Sequence, residues 1–180
     1  MIRHRSGKAI LAPAINNSYS EGDFFAVPLK SSGYGIGIVV CAGAKGTAVG
    51  RFFLPVQDEI PAIGKLNRYD ERDSVHIEHF RDGGLRDGTW KIIGQHPRWD
   101  SYEWPIPRFG VFQPNANDSA GQAFEVELDE DLKAFRQKKI SIDQFRTLPL
   151  EMISSSKAAQ ITITLALTRP GWKRSVPGLD

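Results

Sequence analysis

A single cysteine, Cys41, leaves no internal disulfide possible in this 180-residue chain. That fits a reducing compartment. No cluster of Cys and His has the spacing of a structural zinc site. No apolar run approaches the about 20 residues that a membrane helix needs. The N-terminal "MIRHRSGKAILAPAINN" offers only the short, broken run "AILAPAI", so a signal peptide is not expected. A flexible arm over residues 1–21 is expected instead. An excess of charge of one sign is missing too. The 23 Lys and Arg nearly cancel the 21 Asp and Glu, leaving +2. By itself that balance gives no argument for nucleic acid.

What is present reads as one ordinary globular domain over residues 22–180. In "GDFFAVPL", Phe25, Val27 and Leu29 alternate onto one face. After the turn "KSSGYG", "IGIVVCAG" puts Ile36, Ile38 and Val40 on one side. Gly35, Gly37, Val39 and Cys41 fall on the other. Glycines on one strand face indicate a bulge, a tight bend or close packing by another element. "AVGRFFL", "SVHIEHF", "GTWKII" and "RFGVF" extend the series of short strands. Residues 55–66 hold two prolines and a glycine and read as a loop with at most a short helical turn.

The character changes near residues 113–123. "QPNANDSAGQ" reads as a polar loop. "AFEVEL" is a strand, and Leu132 and Phe135 then suit a short helix with Asp129 as N-cap. Ser141 and Gln144 have capping-box spacing, with Pro149 beyond the helix end. "QITITLALT" alternates without a fault and is expected to be the clearest strand of the chain. The tail from Arg169 should be irregular. The fold class is α+β, mostly β: a bent antiparallel sheet or SH3-like barrel over residues 22–112, with two short helices in a C-terminal part over 124–168.

Catalytic signatures are scarce. His76 and Glu78 share a strand face, while His79 lies on the opposite one. No spacing ties His96 or His4 to them. Cys41, among apolar residues and glycines, is expected buried and inert. No serine sits in a G-x-S-x-G elbow. "GYGIG" continues into β-alternation where a phosphate loop needs a helix start, so its glycines are turn and bulge residues.

Charge distribution is more informative. Asp70, Glu71, Asp73, Glu78, Asp82 and Asp87 crowd the centre, whereas bases dominate from Lys133 onward. An ordinary solvated surface explains this. So does an acidic patch that docks a basic partner, since complementary charge speeds encounter and gives specificity. Trp90 alternates with Ile92 and belongs to a core. Trp99, Tyr102 and Trp104 lie in the aperiodic "HPRWDSYEWPIP". They suit either interface anchors or a cover over the end of the sheet.

Two segments together resemble the immunity protein 26 family of bacterial polymorphic toxin systems. They are "GDFFAVPLKSSGYGIGIVV" and "DGTWKIIGQHP" with its later "WPIPRF". The matching positions are Gly22, Asp23, Pro28, Leu29, Tyr34, Gly35, Gly37, Val39, Gly88, Trp90, Ile93, Gly94, Pro97, Pro105 and Phe109. Arg108, between Pro107 and Phe109, departs from the pattern. The resemblance implies a mostly β, non-catalytic cytoplasmic protein that binds and neutralises a cognate toxin domain. It implies a scaffold role for Gly22, Asp23, Gly35, Gly37, Gly88, Trp90, Gly94 and Pro97. It gives no position for the toxin-facing surface.

Charge and expected exposure select Asp70, Glu71, Asp73, Asp82, Asp87, Trp99, Tyr102 and Trp104 as the candidate partner-binding set. No cofactor, metal or membrane is expected. Two other readings stay open. One is a nucleic-acid-binding module using the basic C-terminal third. The other is a small hydrolase using His76, Glu78 or His96.

Overall fold

The computed structural model describes residues 18–115, 118–176 and 178–179. The chain forms two antiparallel sheets. The larger is built from β1 (Asp23–Pro28), β2 (Tyr34–Gly43), β3 (Thr47–Gln57), β4 (Ser74–Arg81) and β5 (Lys91–Gln95), in the order β4-β3-β2-β1-β5. The smaller joins β6 (Phe109–Asn115), β7 (Asp118–Leu128) and β8 (Ala134–Ile140) in sequence order. Three helices accompany them: α1 (Gly83–Arg86), α2 (Ile142–Phe145) and α3 (Ser156–Thr168). The protein is therefore α+β and mostly β. Of the two expected arrangements it adopts open sheets, and no barrel closes among the described residues. None of the described helices is long and apolar enough to cross a membrane.

The larger sheet buries both faces. Phe25, Val27 and Leu29 point to one side, with Val39, Ala48, Phe52 and Phe80. There they meet Ala159, Ile163 and Leu167 of α3, together with Leu85 and Trp90. Phe24, Ala26, Ile36, Ile38, Val40, Val49 and Phe53 point to the other side. They pack on Phe109, Val126 and Leu128 of the smaller sheet, and on Tyr69 and Trp104. The result is a three-layer stack of helix, sheet and sheet. The alternation read from β1 and β2 holds as far as Val39. Between Val39 and Cys41 the register with β3 shifts, so Cys41 joins Ile38 and Val40 instead of facing away from them.

Close packing explains the strand glycines. A Cβ on Gly37 would lie 2.7 Å from the rings of both Phe25 and Phe52, each fully buried. Gly22 sits at φ +84°, and its Cα hydrogens face the Trp99 indole, which a Cβ would meet at 2.6 Å.

Four expectations for the chain are corrected. First, "QITITLALT" lies in helix α3. The Ser155 side chain caps it by accepting from the Ala158 N–H. Ala159, Ile163 and Leu167 recur every four residues and form the buried stripe. Thr162, Thr164 and Thr168 donate their hydroxyls to the carbonyls four residues earlier, so these polar groups are satisfied within the helix. Second, the helix expected at Leu132 and Phe135 is a turn followed by β8. Leu132 is left-handed at φ 59°. The Asp129 side chain accepts from the N–H groups of Asp131 and Lys133 and so closes a tight turn.

Third, the expected polar loop after Gln113 is mostly paired strand, with Gln113 opposite Gln122 and Asn115 opposite Asp118. Fourth, the last residues of the supposed N-terminal arm are tied down. The Tyr19 hydroxyl donates to Asp82 at 2.7 Å, and Glu21 accepts from the Ala42 N–H. Residues 1–17, His4 included, lie outside the described residues. The Ser141–Gln144 capping box on α2 is present as expected.

Replacing Gly37 by alanine is expected to cost about 1–3 kcal/mol, because neither phenylalanine ring has room to retreat. Gly64→Ala, where nothing lies within 4 Å of the added carbon, should be near neutral. Urea unfolding of the two variants checks the contrast.

Candidate functional site

Arg51 lies on the β3 face that carries Val49 and Phe53, and it is only 5% exposed. A buried guanidinium needs partners, and here they come from two loops. Its Nη2 donates to a Glu71 carboxylate oxygen at 2.7 Å and, at 3.4 Å, to the carbonyl of Pro105. Its Nη1 donates to the Ser74 hydroxyl at 3.2 Å. Burial lowers the pKa of Arg51, and the Glu71 carboxylate offsets part of that. One cation thus holds the acidic loop before β4 against the aromatic loop before β6.

The acidic loop is a single 3-10 turn, Glu71–Asp73. Asp70 caps it and accepts from the Arg72 N–H, while Asp73 reaches back to the Asp70 N–H. Both aspartates remain exposed, whereas Glu71 is half-buried against Arg51. In the aromatic loop, Tyr102 is 93% exposed. The Asp100 side chain accepts from its N–H. Trp99 is half-buried and stacks on Trp104 at 5.9 Å. Trp104 continues to Phe53 and Phe53 to Tyr69, whose rings lie 4.6 Å apart. Arg51 thus links Glu71 of the acidic turn with Pro105, which follows Trp104, and Trp104 in turn stacks with Trp99.

The remaining candidates separate from this group. Trp104 is 3% exposed and belongs to the core beneath the loop, so its expected exposure is corrected. Asp82 is 4% exposed. It accepts from the Tyr19 hydroxyl and from Arg86 Nε at 2.6 Å. Burial of the Tyr19 ring raises its own hydroxyl pKa, with the hydrogen bond to Asp82 and the charge of that carboxylate adding to it. Asp82 is structural by position, because a carboxylate so enclosed presents nothing to a partner. Asp87 is exposed at the end of α1, where Thr89 donates to it through N–H and hydroxyl. These bonds hold its carboxyl below the usual range. Asp82 and Asp87 sit by α1, whose Leu85 packs into the core on the α3 side. Sequence proximity suggested one acidic patch, but strand β4 carries its two ends apart.

The positions of the family pattern lie in varied surroundings. Trp90 is buried and stacks parallel on Phe25 at 5.9 Å. Gly88 and Gly94 take positive φ at the two ends of the β5 segment. Asp23 accepts from the Ser20 N–H, and burial raises its carboxyl pKa. Gly35 sits under Leu167 of α3. Pro97 lies exposed in the turn before Trp99.

The histidines resolve into separate environments. His96 is buried against Phe24 and Trp104. His79 is buried beside Phe109, with Nδ1 3.2 Å from Glu151. His76 does meet Glu78, at 3.1 Å, in the wall of a cleft of about 460 Å³. The Glu78 carboxylate also accepts from the Ser154 hydroxyl at 2.7 Å and from Arg174 at 2.8 Å. The order is Ser–Glu–His. A nucleophilic triad needs histidine between hydroxyl and carboxylate so that the base reaches the hydroxyl proton. Here the carboxylate takes the middle place and Arg174 holds it there. Ser154 and Arg174, far apart in sequence and joined only by α3 and the tail, carried no signal that pointed to this network.

Cys41 is 2% exposed, its thiol is directed at the Glu130 carbonyl, and burial pushes its pKa up to about 12. Among the described residues no group of three or more His, Cys, Asp or Glu could hold a metal ion. Several cations of the C-terminal third have acidic neighbours: Arg136 with Glu127, Lys133 with Asp131, and Arg174 with Glu78.

Residues 20–121 match the family model described as Immunity protein 26, more than half of the chain. The protein belongs to the Immunity protein 26 family. The matched region runs from just before β1 into β7 and contains both loops clamped by Arg51, as well as every scaffold position above. Most of the C-terminal cover, β8 and α2 and α3, lies beyond it. No curated protein and no solved structure matches the chain.

Two outcomes are expected. Removing the Glu71 carboxylate, as Glu71→Ala, leaves Arg51 buried without its anion. This should destabilise the fold by about 1–3 kcal/mol in urea titration. Cys41 should resist a thiol reagent at pH 8 in the folded protein and react promptly in denaturant, because only a thiolate attacks.

Proposed function

We propose that this Immunity protein 26 member neutralises a cognate bacterial toxin domain by binding it in the cytoplasm, with no catalysis of its own. The family supplies the class of partner. The observation that carries the binding surface is the Arg51 clamp. It ties Glu71 of the acidic loop and the Pro105 carbonyl of the aromatic loop to one buried cation, and Asp70, Asp73 and Tyr102 of these loops are exposed while Trp99 is half-buried. Exposed tyrosine on a held loop is a low-entropy anchor. The flanking carboxylates add charge that steers a basic face of the toxin into register. Preorganisation matters, because ordering loops on binding would subtract from affinity.

The test pairs this chain with the small toxin domain encoded by the adjoining reading frame. Co-expression should restore growth, and the purified proteins should form a stoichiometric complex. Tyr102→Ala and Asp73→Asn, which keeps an oxygen to accept from the Asp70 N–H, should each weaken that complex by about 1–3 kcal/mol in calorimetry without lowering thermal stability. Unchanged affinity in both variants would place the toxin elsewhere on the surface. Salt-sensitive binding to RNA or DNA, with none to the toxin, would favour the nucleic-acid reading.

A further inference from the structure

The cleft beside β4 has no part in the reading above. β4 is an outer strand of its sheet, so one row of its backbone groups lacks a strand partner. The chain itself uses part of that row. The Ser154 N–H donates to the His79 carbonyl at 3.0 Å, and the Arg81 N–H donates to the Ser154 carbonyl at 2.7 Å.

Backbone groups alternate sides along a strand, and pairing with β3 keeps its register from His76 to Arg81. The N–H and C=O of Ile77 therefore point the same way as the His79 carbonyl, toward the cleft that Ile77 lines. Among the described residues neither group has a partner on that side.

The surroundings suit an extended chain. Val75, Leu148 and Trp172 give apolar walls. Arg146 and Lys173 add exposed cations at the rim. Lys173 donates to the Arg146 carbonyl, and Asp143 stands 3.9 Å from Arg146, so their charge is little compensated. Glu78, the acid of the lining, is already held by Arg174 and His76. At its other end the edge begins at Ser74, directly after Asp73, and is continuous with the acidic loop.

We infer that the free edge of β4 accepts an extended segment of the toxin as an added strand. Its acidic side chain lies toward Arg146 and Lys173, and a basic one lies toward Asp73. This rests on the proposed reading that the partner is a toxin protein. Strand addition draws affinity from main-chain hydrogen bonds and specificity from alternate side chains.

The experiment titrates wild type, Ile77→Pro and Ile77→Ala with the toxin domain of the adjoining reading frame. It also follows amide exchange at Ile77 in the wild-type complex. Proline removes the outward donor and leaves the ladder to β3 intact, whereas alanine keeps the donor and loses the side chain. The expected result is a loss of about tenfold or more for Ile77→Pro, and of less than about threefold for Ile77→Ala. Exchange at the Ile77 amide should slow in the complex. A wild-type complex in which that amide exchanges as fast as in the free protein overturns the strand-addition inference. It leaves the toxin reading standing, whether or not Ile77→Pro folds. Absence of any wild-type complex overturns both.

Discussion

Burial of β2 on both faces is the constraint on which the rest of the structure depends. A strand that reads "IGIVVCAG" has almost no polar side for water, so its sheet needs a cover above and below. Both covers come largely from beyond residue 108. The smaller sheet closes one face and α3 closes the other. The connection between them is itself built into the sheets. Gly110 of β6 pairs with Leu150, and Phe80 of β4 pairs with Ser154. A few residues of extended chain thus lock two sheets and a helix into one stack. The cleft opens where that chain leaves β4.

The strands of the larger sheet were legible because each buries one clear face, or both, and each ends in glycine or turn residues. The capping box at Ser141 was legible for a similar reason: it is local chemistry at fixed spacing. What was not legible depended on partners. "QITITLALT" alternates perfectly, yet its apolar residues also fall four apart. Only the presence of a flat apolar sheet face decides between strand and helix. The turn at Leu132 hinged on one aspartate closing a loop in place of capping a helix, and both uses need the same residue type.

The candidate site divided along the same line. Exposure of Asp70, Asp73 and Tyr102 followed from loop chemistry. Burial of Asp82 and Trp104 did not, because it depends on Tyr19 and Phe53, which no spacing rule connects to them; only Arg86, four residues after Asp82, stands at a helical spacing. Arg51 carried no signal at all: a basic residue inside "AVGRFFL" looks like a solvent-facing position. Its role appears only when the strand's inward face is seen to carry it, and when two loops are found to converge on it.

The position of α3 has a consequence for how the chain is made. Synthesis runs from the N-terminus, and the larger sheet is complete once β5 has emerged. Leu85 and Trp90 already pack on its face lined by Phe25, Phe52 and Phe80, but the cover from Ala159, Ile163 and Leu167 arrives only when α3 has left the ribosome. Until then the nascent chain displays part of an apolar surface that α3 later hides. Protection of that face from aggregation therefore waits on a segment that lies outside the family match over residues 20–121.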